Sequence, residues 1–302
     1  MKKFTLLLMS LLMVSNFAIA QKKLCVHTIY GEKIEYIASD VAYIDFEDVT
    51  TEPDDGPVVP EAGGFVAKPF SVSANTTVTF SPGNLQYHAA NDEWRFAPNQ
   101  TDYIGEDNAN ISSTYNGWID LFGWGTGNNP TNKSTDYEDY QTFVDWGVNK
   151  IGNYAPNTWR TLTRSDWYYL RYERANYNKL IGVAQVNGVN GLILLPDNWT
   201  CPSGVTFKSG FHDYNGTEYY AKYQTFSSSD WSKLEASGAV FFPAAGYRNG
   251  SDVYDVQDRG GYWSASRGRS YDASRFYFGS GRAVVDDNYN RFYGQSVRLV
   301  QD

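Results

Sequence analysis

Apolar and polar side chains alternate along 24–30, Leu-Cys-Val-His-Thr-Ile-Tyr, and the alternation resumes after Gly31-Glu32 through Ile34 and Tyr36. A period of two predicts a β-hairpin, with a third strand over Val41, Tyr43, Ile44 and Phe46. This β unit, 21–49, is too short to bury a stable core alone. The pattern then stops. Residues 50–66 carry three prolines, several acids and a Gly-Gly pair, which predicts an extended, solvated linker.

Beyond it, 67–302 has the length of one ordinary domain. Strands are predicted at Phe70-Ser-Val-Ser and Thr76–Phe80. After the turn Ser81-Pro-Gly-Asn84, Leu85–Tyr87 and Trp94–Phe96 should pair as a hairpin. From Asn99 to Asn157 neither helical nor strand period survives. Trp118, Phe122, Trp124 and Trp146 punctuate a polar, Gly- and Asn-rich stretch, which predicts irregular chain pinned by buried rings. Thr163-Arg-Ser-Asp166 is a capping box with Asp at its fourth position, followed by Trp167, Leu170 and Arg174 at helical spacing, so a helix is expected over 164–173. Asn187-Gly188 between Val183–Val186 and Val189–Leu195 signals a hairpin. A second helix should open at Ser229-Asp-Trp231 and stop at Gly238. Ala239–Phe242 reads as a buried strand and Gly246–Gly250 as a turn. The fold class expected is α+β, with two helices, a mainly antiparallel sheet and long Trp-pinned loops.

The last forty residues differ from the rest. Their ends, Gly261–Ser266 and Gly294–Val300, read as scaffold, with Trp263, Val297 and Leu299 in the core. Between them the chain is Arg, Gly, Ser, Tyr, Asp, Phe and Asn with almost no aliphatic residue. Ala273, Phe276, Phe278 and Ala283 are expected to face inward, and the polar residues between them outward. The candidate ligand-binding residues are Arg267, Arg269, Tyr271, Asp272, Ser274, Tyr277, Arg282, Asp286, Asn288, Tyr289, Asn290 and Tyr293. Exposed Tyr and Arg dominate recognition energy because they desolvate a large area with few rotors. With Arg275, the arginines also make this the one basic locality in an acidic chain.

Composition changes the picture in three ways. Lys2 and Lys3, a short apolar run over 6–14 and Ala18-Ile-Ala20 form an export signal over 1–20, and the run is too short to span a bilayer. No later stretch is apolar enough for a transmembrane anchor. The periplasm, the cell surface and the medium all remain open as destinations. Second, loss of the two leader lysines would deepen a formal net charge of -9, which disfavours nucleic acid and anionic membrane as partners. Third, the 24 Tyr and 9 Trp imply a core built from rings and supply rigid contact area for a binding site. Cys25 and Cys201, the two cysteines present, are expected as free, partly buried thiols.

Three motifs carry a resemblance to a known family. Trp159-Arg-Thr-Leu-Thr-Arg-Ser-Asp-Trp167-Tyr-Tyr-Leu170 resembles a helix of the Fibrobacter succinogenes major paralogous domain and of formylglycine-generating-enzyme-like proteins. Gly261-Tyr-Trp-Ser-Ala-Ser266 and Arg291–Val300 resemble their C-terminal signature. The resemblance covers roughly 67–302 and implies a C-type-lectin-like fold; the leader, β unit and linker are similar to exported proteins of Bacteroidetes. The 267–293 stretch is also similar to the mutable face of diversity-generating-retroelement variable proteins, whose randomised asparagine codons yield this residue set.

Chemistry is sparse. The cysteine pair that the family resemblance implies for catalysis is missing, since Cys25 lies outside the domain and Cys201 is alone. His88 and His212 lie in no recognisable nucleophile–base spacing and are expected to be surface or structural. No cofactor is expected. A structural calcium ion stays open, with Asp252, Asp255, Asp286 and Asp287 as oxygen donors, whereas Pro196-Asp197-Asn198-Trp199 only scrambles the sugar-binding calcium motif of C-type lectins. The expectation is a non-enzymatic exported protein that binds protein or glycan at its C-terminal face. A polysaccharide-acting hydrolase and a structural component of a surface assembly are the alternatives.

Overall fold

The computed structural model describes residues 65–302 and the backbone of two earlier strands, with 286–288 described as backbone only. The chain divides into two compact units, Met1–Pro57 and Val58–Asp302. In the first, β1 (Lys23–His27) and β2 (Lys33–Ile37) form an antiparallel hairpin, with Cys25 opposite Glu35. The leader, the third strand expected at 41–46 and most of the expected linker lie outside the described residues. Phe65 does not belong to a linker: it is buried in the core of the second unit.

That unit is a mixed α+β fold, mostly sheet. Its elements in order are β3 (Phe70–Ser71), β4 (Thr77–Phe80), β5 (Leu85–His88), β6 (Glu93–Phe96), β7 (Trp118–Ile119), β8 (Arg160–Thr161), α1 (Arg164–Tyr168), β9 (Ile181–Val186) and β10 (Val189–Leu194). They continue with α2 (Glu218–Tyr223), β11 (Thr225–Phe226), α3 (Ser228–Ala236), β12 (Val240–Pro243), β13 (Tyr247–Asn249), β14 (Asp252–Tyr254), β15 (Arg259–Arg267), β16 (Asp272–Gly279), β17 (Arg282–Asn290) and β18 (Leu299–Gln301). The sheets run β3-β4-β18-β8, β6-β5-β7, β11-β9-β10-β12, β13-β14 and β15-β16-β17. β11 lies parallel to β9, and the other strand pairs are antiparallel.

Local chemistry accounts for most of these elements. Thr163 and Asp166 close the expected capping box, Asp166 N donating to Thr163 Oγ1 at 3.2 Å and Thr163 N to Asp166 Oδ2 at 2.9 Å. The helix covers the expected span, but its second half, Tyr169–Glu173, is a π turn, closed by Arg174 N on Tyr169 O at 2.9 Å. Arg174, which closes this turn, is anchored by its side chain as well. Its guanidinium is buried and donates to Leu170 O, Leu195 O and Leu180 O and to Asp197. α3 starts one residue before the expected position because Ser227, rather than a later serine, accepts from Asp230 N. Gly238, at φ 92°, ends it in the left-handed conformation. The third helix, α2, has only six residues and no side-chain cap, so its period was too short to read. Where two helices are expected, the described residues hold three α-helices. Asn187 and Gly188 both have positive φ, as the turn between β9 and β10 requires.

Three buried clusters hold the unit together. One gathers Phe70, Phe80, Trp167, Phe242 and Phe276, with Trp167 and Phe276 stacked at 4.7 Å and 7°. A second joins Trp94, Phe122, Trp124, Trp146, Trp159, Trp263, Val297 and Leu299, so rings from the irregular 99–157 stretch do pin it to the C-terminal scaffold. Trp263 Nε1 donates to Phe122 O at 2.7 Å and Trp124 Nε1 to Ser264 O at 2.9 Å. A third cluster, including Ile193, Trp231, Leu234 and Phe241, seats α3 on β9–β12. His88 is buried against Trp118, whereas Cys201 is exposed rather than partly buried. Among the described residues no helix is long and apolar enough to cross a membrane.

Candidate ligand-binding face

The site is built on β15, β16 and β17. Cross-strand partners share a face, so Tyr262, Phe276 and Val285 point one way, and Gly261, Tyr277 and Val284 the other. Ala273, Phe276, Phe278 and Ala283 are all buried, as their alternation predicts. They do not enter one core, however. Ala273 packs with the tryptophan cluster and the other three with the phenylalanine cluster. The register shifts between Ala273 and Arg275, and again in β15 between Trp263 and Arg267. Such bulges let one strand switch facing within a residue.

The bulge corrects two expectations. Ser274 is fully buried, its carbonyl accepting from Ser264 Oγ at 2.9 Å, and is out of reach of a ligand. Arg275 is not part of an exposed basic patch. It is 6% exposed, with its guanidinium 3.2 Å from the Tyr289 ring centroid, 4.4 Å from that of Tyr277 and 3.4 Å from Gln295 Oε1.

The other candidates fall in three places. Arg267, Arg269 and Tyr271 are exposed on the turn from β15 to β16, where Gly268 N donates to Asp272 O and Asp272 N to Arg269 O. Asp272 is half-buried there. This turn is supported from below by Arg291, fully buried, which donates to Tyr271 O, Ser270 O and Tyr140 O at 3.1, 3.1 and 3.0 Å. Arg282 is exposed at the opposite end of β16, seven residue steps or roughly 24 Å away at the usual strand rise. It therefore does not join the others. Asn290, opposite Asp272, is half-buried at the turn end, and Tyr277, Tyr289 and Tyr293 are half-buried elsewhere on this face. Asp286 and Asn288 lie in β17, and their side chains are outside the described residues.

Tyr277 and Tyr289 line a cleft of about 100 Å³ with Arg275, Gln295, Tyr247, Asp255 and Arg259. Its floor is the backbone of Gly260 and Gly261, where a Cβ on Gly261 would overlap Gln295 Oε1. Tyrosine rings surround it. Tyr247 stacks on Tyr254 at 5.3 Å and 25° and meets Tyr289 and Tyr293 edge-on at 5.9 and 5.3 Å. Burial pushes the Tyr289 hydroxyl up to about 12, against the opposing pull of Arg275, so it remains a protonated donor. Burial and then Asp255 raise Tyr247 likewise. Arg259 is paired with Asp255 at 3.3 Å and Asp258 at 3.4 Å.

Tyr247, Tyr254 and Arg259 lie outside the stretch that sequence singled out, and Gln295 lies in the part of it read as scaffold. The first two pair across the β13–β14 hairpin, where Tyr247–Asn249 is a strand rather than part of the turn expected over Gly246–Gly250, and nothing in the pattern marked it as a partner of β17. Tyr137, exposed and 5.7 Å from the Tyr271 ring, comes from the irregular 99–157 stretch and left no signal at all. No histidine or cysteine lines the cleft. Asp197, from the scrambled lectin motif, is engaged by Arg174 at 3.3 Å. Among the described residues no three His, Cys, Asp or Glu side chains are grouped to hold a metal ion. No family model matches the chain, and no curated protein or solved structure matches it.

Proposed function

We propose that the chain is an exported, non-catalytic binding protein that holds a protein or glycan ligand on the outer face of β15–β17, carried by a C-type-lectin-like scaffold. One observation supports this above the rest: Arg275 is held between the rings of Tyr277 and Tyr289 in the lining of an open cleft with further tyrosines beside it. Such a surface combines rigid apolar area with fixed donors, the combination that recognition sites use. Sequence supports export through Lys2, Lys3, the 6–14 apolar run and Ala18-Ile-Ala20.

The test is a binding screen of the chain against extracted surface proteins and a glycan panel, repeated with Tyr254→Ala and Tyr277→Ala. Tyr254→Ala, at an exposed ring, should keep the parent melting temperature, Tyr277→Ala should remain folded with a modest fall because its ring packs on Arg275, and both should lose at least tenfold in affinity. Unchanged affinity in both would place the binding surface elsewhere.

A further inference from the structure

A second cleft, of about 480 Å³, opens among residues 124–144. Its size falls within the ~300–1,000 Å³ of small-ligand sites. Asn128, Asn129, Asn132, Glu138, Asp139 and Gln141 line it, and no lysine, arginine or histidine does. Four amides and two carboxylates therefore offer donors and acceptors together.

The loop that carries them is held in place. Tyr140 donates to Asn132 O at 3.3 Å and to Ser134 O at 2.9 Å. Arg248, fully buried, reaches Asn132 O at 3.3 Å, and Arg291 reaches Tyr140 O at 3.0 Å. Asn149 Nδ2 donates to Gly127 O at 2.7 Å. Gln141 is fixed between Glu138, to which it donates at 2.9 Å, and Arg267, from which it accepts at 3.0 Å. Asn128 and Asn129 are exposed and their side chains enter no hydrogen bond with the described residues, so their amides are available. Such preorganisation lowers the ordering cost of binding.

Beside the cleft stand Tyr137 and Tyr271, 40% and 48% exposed, with ring centroids 5.7 Å apart and tilted by 47°. A pyranose has the matching chemistry. Its hydroxyls each donate and accept, which suits amides and carboxylates, and its C–H face covers an aromatic ring. The two carboxylates in the lining favour neutral sugars over uronates and sulfated sugars, while Arg267 at the edge of the cleft is engaged by Gln141.

We propose that this cleft is a neutral-oligosaccharide site, with the Tyr137–Tyr271 pair as its stacking platform. It is independent of the Arg275 cleft. The experiment is calorimetry on the full chain with cello-, xylo- and mannohexaose, polygalacturonate and a lysine-rich peptide as separate arms. At least one neutral hexasaccharide should bind, with affinity reduced tenfold or more by Tyr137→Ala and by Asn129→Ala at unchanged melting temperature. Tyr254→Ala should leave that affinity intact. Binding of polygalacturonate or the peptide alone, or no binding in any arm, would overturn the proposal. So would sensitivity to Tyr254→Ala but not to Tyr137→Ala or Asn129→Ala, which would return the sugar to the Arg275 cleft.

Discussion

The Arg275 guanidinium lies 3.2 Å from the centroid of the Tyr289 ring, and that ring also packs on Trp263 at 6.4 Å. Tyr289 is thus at once a wall of the cleft and a cover for the tryptophan cluster. The same side chain cannot be exchanged for function without touching stability.

Tyr289→Leu should accordingly destabilise the unit by ~1–2 kcal/mol, since it removes a partly desolvated cation–π contact and ring packing. Tyr289→Phe keeps the ring and should cost less than ~1 kcal/mol. Urea denaturation of both variants measures the difference, and equal losses would show that the hydroxyl rather than the ring matters.

Trp263 belongs wholly to the core, 1% exposed and bonded to Phe122 O. Trp263→Ala should cost ~3–5 kcal/mol. Tyr271→Ala, at an exposed turn position, should stay within ~0.5 kcal/mol. Thermal melts by circular dichroism compare the two.

Two buried carboxyls should make stability fall as pH rises. Burial pushes Glu235 up to about 7 and Asp120 up to about 6, despite hydrogen bonds from Gln100 and from Asn108 and Ile104. A carboxyl raised in the fold binds its proton more tightly there than in the unfolded chain. The folded state then holds more protons from about pH 4 to about pH 7, and stability is lost across that window and level above it. The loss is on the order of 3 kcal/mol for each group. Glu235→Gln, which can still bond Gln100, should flatten its share of the slope in denaturation curves recorded between about pH 4.5 and about pH 7.5.

Arg291→Lys should loosen the display turn. One ammonium cannot serve the carbonyls of Tyr140, Ser270 and Tyr271 as the guanidinium fork does. Buried carbonyls left unserved cost ~1–3 kcal/mol. Hydrogen exchange of residues 268–272 should accelerate well before global unfolding; unchanged exchange would show that the turn holds itself.

What sequence could reveal was local. The Thr163–Asp166 box, the Asn187-Gly188 turn and the inward set of β16 depend on neighbours within a few residues, and the structure has all three. The bulge at Ser274 left no such trace, because a one-residue register shift leaves the residue pattern intact. Nor did the buried arginines. Arg174, Arg248 and Arg298 are each lowered to about 10 by burial, a cost no pattern announces. Arginine normally predicts surface. Here Arg248 and Arg291 satisfy loop carbonyls more than a hundred positions away, and that is how the 124–144 loop comes to stand beside the 267–271 turn.

β18 lies between β4 and β8, with Val300 opposite both Phe80 and Arg160. The first sheet is therefore completed by a segment made more than two hundred residues after its earliest strand. Pairing across such a separation makes folding slow relative to a helical protein of this size. Until residues 299–301 arrive, β4 and β8 have no common neighbour, and a nascent or truncated chain would leave two edges open to other strands.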